Sequence, residues 1–116
     1  MPGYEAVYDT IEGDILKISL AGFLDAHTAP EFENLLTDLI GKGYYKILVD
    51  MERIEYISST GFGVFMGHIE DIREKNGDIK FLHIPEKIFR IFSILGFAAI
   101  YEILDNEKDA IEKFRV

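Results

Sequence analysis

After an opening hairpin the chain alternates short apolar runs with amphipathic helical stretches, and that alternation limits its fold more than any other feature. The runs 4–9 and 15–21 flank Glu12, Gly13 and Asp14. In the second run, Leu16, Ile18 and Leu20 alternate with Lys17 and Ser19, the period of a half-buried strand, so the pair reads as a hairpin. Thr28 followed by Glu31 three residues later forms a capping-box pattern, with Pro30 in the first turn. Phe32, Leu35, Leu36, Leu39 and Ile40 then recur at helical spacing until Gly41 and Gly43. Ile47, Leu48 and Val49 read as a strand buried on both faces. A second helix is predicted from about Thr60 to Asn76 and Gly77, followed by a strand over 79–84. Pro85 opens a third helix carrying Ile88, Ile91, Phe92 and Leu95, stopped at Gly96. Residues 101–104 read as a short edge strand, and Asp105 or Asn106 caps a last helix bearing Ala110, Ile111 and Phe114. The expected order is ββαβαβαβα. The expected architecture is one α/β domain over residues 1–116, a mixed sheet of about five strands packed by about four helices.

Composition narrows the function. The net charge of −9 leaves no basic run to release counterions from nucleic acid, and an acidic surface suits a partner with a basic patch. The absence of cysteine removes disulfides and thiolate metal sites. No apolar run approaches the ~20 residues that span a bilayer. The first residues, Met1, Pro2, Gly3, Tyr4 and Glu5, carry no signal-peptide pattern, so a cytoplasmic domain is expected.

The chemistry-bearing segment is Ile57, Ser58, Ser59, Thr60, Gly61, Phe62, Gly63, Val64, Phe65, Met66, Gly67. The chain has four serines and four threonines, and three of these eight hydroxyls are consecutive here, where a strand-side segment hands over to a helix. One hydroxyl suffices to cap a helix. The free N–H groups and macrodipole of a helix start would also tolerate a phosphate. Gly63 and Gly67 fall inside the predicted helix, where each costs ~1 kcal/mol against alanine. At 100° per residue, Phe62, Phe65, Met66, Ile69 and Ile72 face the core, while Gly63, Gly67, Val64, Asp71 and Glu74 face away. Two readings of these glycines stand at this point. They admit a neighbouring helix of the same domain, or they form a flat ledge on which a partner docks.

These residues resemble the STAS domain family, and within it the bacterial anti-sigma factor antagonists. The resemblance rests on Asp50 with the run Ile57 to Val64, on Gly22, Phe23, Leu24 and Asp25 with Thr28 and Ala29, and on the third helix ending in Ile94, Leu95, Gly96 and Phe97. It implies a STAS-type sheet and a non-catalytic partner switch. The unmodified domain would bind an anti-sigma factor that is also a serine kinase, freeing the sigma factor. The kinase would phosphorylate the serine two positions before Gly61, which is Ser59, with Ser58, Thr60 and Gly61 shaping the site. A metal-dependent serine/threonine phosphatase would reverse the change. Many members carry aspartate where this chain has Ser58. Asp25, Gly63, Val64 and Gly67 are the candidate partner contacts.

Other constellations are weaker. A STAS module of a stress-sensing or lipid-transport assembly would bind partners without being phosphorylated. A small hydrolase would need Asp25 and His27 as acid and base to Ser59, but the G-x-S-x-G elbow is absent. Asp50 resembles a receiver's phosphoacceptor but lacks the acidic pair after the first strand. His27, His68 and His83 show no metal spacing, His83 reads as a core-edge strand residue, and no residue demands a cofactor. Phe89, Phe92 and Phe97 read as core with a minor surface patch.

Overall fold

The computed structural model describes residues 3–115; Met1, Pro2 and Val116, the ends of the expected domain span, lie outside the described residues. Five strands and four α-helices follow the predicted order: β1 (Tyr4–Ile11), β2 (Ile15–Leu24), α1 (Ala29–Gly41), β3 (Lys46–Ile57), α2 (Ser59–Glu74), β4 (Asp78–Leu82), α3 (Glu86–Ile94), β5 (Glu102–Leu104) and α4 (Glu107–Phe114). The spatial order is β1-β2-β3-β4-β5, antiparallel at β1–β2 and parallel elsewhere. Because sequence order equals spatial order, right-handed crossovers put α1, α2 and α3 on one face. The main core lies there, from Leu16, Ile18 and Val49 of the sheet to Phe32, Phe62, Phe65 and Phe92 of the helices. α4 returns to the opposite face and covers Ile15, Leu48 and Leu82 with Ala110 and Phe114.

Aromatic rings dominate the main core. Phe81 of β4 is fully buried and meets Phe65, Phe92 and Tyr101 edge-on at 5.0, 5.0 and 5.2 Å between centroids. Burial pushes the Tyr101 hydroxyl up to about 12. On the other face, Lys80 is the one buried charge among the described residues. Its ammonium lies 5.0 Å above the Phe114 ring and pairs with Asp78 at 3.0 Å and Glu102 at 2.8 Å. That lysine holds the Glu102 carboxyl below the usual carboxylate range.

The feature that positions the site is the length of β3. β4 pairs only with Lys46 to Asp50 of β3, yet β3 continues with β2 as far as Leu24 opposite Ile57. Two register shifts, between Ser19 and Ala21 and between Gly22 and Phe23, bend this extension. Gly22 sits at φ +88°, and a Cβ there would lie 2.2 Å from the Gly3 carbonyl oxygen, so only glycine fits at the second bend. The two strand ends therefore finish side by side, and α1 and α2 both begin at this end of the sheet.

Several details differ from the sequence reading. The Thr28–Glu31 capping box does not form: Thr28 has helical backbone angles, and its hydroxyl donates to the Phe23 carbonyl at 2.7 Å. His83 is not a strand residue. It leaves β4 at φ +56° and places its ring 3.3 Å from Asp50. Phe92 is a core residue and Phe97 packs half-buried against the core, whereas Phe89 of α3 is exposed.

Candidate functional site

β3 delivers Ser58 to the head of α2. The Ser58 amide donates to the Leu24 carbonyl at 3.0 Å, tying the two strand ends together. Its backbone is extended, with φ −94° and ψ 172°, and its hydroxyl accepts the Gly61 N–H at 3.2 Å. Ser58 is thus the N-cap and satisfies one of the orphan donors of the first turn. Replacing Ser58 with alanine is expected to cost ~1 kcal/mol of folding stability, read as a lower urea midpoint, while leaving Ser59 exposed.

Ser59 and Thr60 occupy the first two positions of α2, and both are exposed. Gly61 points the other way. It is buried, and a Cβ there would meet the Leu24 carbonyl oxygen at 2.6 Å and Ile57 Cγ1 at 2.9 Å. Gly61 therefore lets α2 approach the end of β2 closely. It shapes the site from beneath, while Ser59 stands free above it.

Gly63 and Gly67 behave differently. A Cβ at either would meet nothing within 4 Å, so among the described residues no neighbouring element requires their smallness. The reading in which they admit a helix of the same chain is excluded. Val64, expected on the exposed ledge, is buried, with 6% of its surface accessible. Met66, expected in the core, is 39% exposed. α2 packs against both the sheet and α1, so its buried arc is wider than one stripe and is rotated toward α1. Val64 instead forms part of the wall of a groove of about 360 Å³ between α1 and α2, lined also by Ala29, Pro30, Glu33, Thr60 and Gly63. Deeper along the two helices, His68 of α2 contacts the Glu33 carboxylate of α1, with Thr37 beside them.

Asp25 closes the loop between β2 and α1. Its carboxylate accepts the amides of His27 at 2.9 Å and Thr28 at 3.2 Å, while the Asp25 amide donates to the Thr28 hydroxyl at 3.0 Å. Asp25 thus holds the entry to α1 next to the Leu24–Ser58 link. Its carboxylate faces backbone amides and not the His27 ring, so the acid–base pair that a hydrolase would need at Ser59 is not assembled among the described residues. No group of three His, Asp or Glu residues converges as a metal site among the described residues. Sequence reasoning did not find Ala29, Pro30 and Glu33 as groove residues. Their helical pattern was legible, but nothing in it placed α1 beside the start of α2.

The family model for the STAS domain matches residues 7–110. An anti-sigma-B factor antagonist from Listeria monocytogenes is 32% identical over 94 residues, covering 81% of this chain and 82% of its own. Among solved structures, the anti-sigma factor antagonist SpoIIAA in its unphosphorylated form gives a TM-score of 0.82 at 21% identity, over 96% of both chains. The phosphorylated form of the Bacillus protein gives 0.73 at 21% identity, over 94% of this chain and 98% of that one. At these identities the two structures speak for the fold alone. The sequence match, the five-stranded sheet and the capped, hydroxyl-bearing start of α2 lead to one assignment: the chain belongs to the STAS-domain family, among the anti-sigma factor antagonists.

Proposed function

We propose that the chain is a binding switch. Its unmodified form binds a cytoplasmic anti-sigma factor with serine kinase activity and frees the sigma factor, and phosphorylation of Ser59 ends that binding. Its family works by binding and not by catalysis. The observation that carries the reading is the division of labour at the head of α2. Ser58 is occupied as the cap, Gly61 is buried, and Ser59 has an exposed hydroxyl at the first helical position. Transfer replaces the Ser59 hydroxyl proton with the γ-phosphoryl group of ATP; the O–P bond to ADP breaks, ADP leaves, and the proton passes to a base of the kinase. The product adds about −1.5 to −2 charge where the first-turn N–H groups and the helix dipole tolerate it. A metal-dependent phosphatase restores the hydroxyl. The existence of a fold relative in both phosphorylated and unphosphorylated forms supports the reading.

Incubation with the cognate kinase and ATP, followed by peptide mass spectrometry, tests the acceptor. Phosphate is expected on Ser59 and on neither Ser58 nor Thr60. Phosphate elsewhere overturns the assignment of Ser59. No incorporation under conditions where the kinase binds the chain overturns the switch in favour of a STAS module that is never phosphorylated.

A further inference from the structure

We infer that the groove between α1 and α2 receives one large apolar side chain of the partner, presented beside a lysine or arginine that faces Glu33. The inference rests on the proposed switch, because it names what the same face of the domain recognises.

The groove has no internal purpose. Gly63 sits in the interior of α2, where glycine is disfavoured by ~1 kcal/mol relative to alanine, and it is not in contact with any element of its own fold that would offset the cost. Gly61, two residues earlier, shows the contrast, since its smallness is required by Leu24 and Ile57. What Gly63 leaves is an opening beside Thr60, walled by Ala29, Pro30 and Val64. Its volume of about 360 Å³ has room for a single bulky side chain. Anchors of this kind, seated in a preformed pocket, carry much of the energy of protein interfaces. The groove begins one residue past Ser59, so a side chain seated in it brings its own backbone toward the acceptor hydroxyl.

Charge selects the occupant. Residues 18–41, which include α1, contain Asp25, Glu31, Glu33 and Asp38 and no lysine or arginine. Residues 54–72, which include most of α2, contain Glu55, Glu70 and Asp71 and again no lysine or arginine. Asp38 and Asp71 pair with Lys42 and Lys75 at the far ends of the two helices, at 3.2 and 3.3 Å, and the acids that remain leave the face net negative, which repels a second copy of the same face and attracts a basic one. Glu33 forms part of the groove lining with its side chain 44% exposed, and its carboxylate has unused acceptor capacity beyond its contacts with His68 and Thr37. Added phosphate at Ser59 would stand next to this anchor point, where docking requires water to leave.

Gly63→Leu places a side chain over the opening at an exposed helix position and raises helix propensity, so its melting temperature should equal or exceed that of the parent. Its affinity for the purified anti-sigma factor that binds the parent is expected to fall at least tenfold. Glu33→Lys, which alters no buried residue, is expected to lower affinity severalfold, with the difference shrinking at high salt. Glu112→Leu on α4, across the sheet, should leave affinity unchanged. Parent-like binding by both Gly63→Leu and Glu33→Lys, alongside lost binding in Ser59→Asp, overturns the groove and leaves the switch standing. Lost binding in Gly63→Leu with parent-like binding in Ser59→Asp supports the groove and overturns the switch.

Discussion

Ser59→Asp is expected to bind the anti-sigma factor about a hundredfold more weakly than the parent, with no loss of folding stability. The two halves of that expectation come from one location. At the first position of α2 a carboxylate faces unpaired amides and the positive end of the helix dipole, an arrangement that favours an acid by ~0.3–1 kcal/mol. The unfolding midpoint should therefore stay level or rise slightly. In the docked complex the same carboxylate loses water without gaining a partner. A penalty of about 3 kcal/mol corresponds to roughly a hundredfold in affinity. Ser59→Ala separates charge from shape: it lacks the acceptor but introduces no charge, and it should bind within a few-fold of the parent while resisting phosphorylation. Titration calorimetry on the three proteins checks the series. Equal affinity for Ser59→Asp and the parent would remove charge as the cause of release.

Phe81→Ala is expected to destabilise the domain by ~3–5 kcal/mol, read from urea unfolding. Phe81 is fully buried on β4, and its ring is the common neighbour of Phe65 on α2, Phe92 on α3 and Tyr101 before β5. Truncation leaves a cavity bordered by three other rings, each held by contacts of its own. Phe92 also touches Phe62 and Phe97, and Phe65 touches Phe32. Collapse into the space is hindered, so the loss should lie near the top of the range for such changes. For a domain whose whole stability is ~5–15 kcal/mol, that is a large share. A cost below ~1 kcal/mol would mean that the aromatic cluster does not fix α2 and α3 on the sheet.

Most of the element order was legible because helical and strand periods alternate cleanly along this chain. The C-terminal half of β3 was not. Its buried residues Met51, Ile54 and Ile57 recur every third position, since bulges insert extra residues between inward-facing ones. That spacing disguises a strand, and the strand is what carries Ser58 to the helix start. Thr28 misled for a related reason. The sequence offers a capping pair, but the folded loop uses the hydroxyl to bond Phe23 and Asp25. Ser58, Ser59 and Thr60 were legible as a cluster, while their separate roles depended on which hydroxyl faces Gly61. Val64 was misplaced because a helical wheel assumes one buried direction, and α2 has two. Gly63 and Gly67 drew notice by their cost to the helix. Only the open space around them separates a ledge for a partner from an internal packing requirement.

Phosphate on one exposed hydroxyl should be enough to close the docking face. The measurement is a calorimetric titration of the anti-sigma factor with chain phosphorylated stoichiometrically on Ser59, repeated on the same sample after treatment with the phosphatase. Binding should be undetectable in the first titration and return to the parent affinity in the second, with superimposable far-ultraviolet circular dichroism throughout. Tight binding by the phosphorylated chain would contradict the account, as would a loss of affinity that the phosphatase does not reverse.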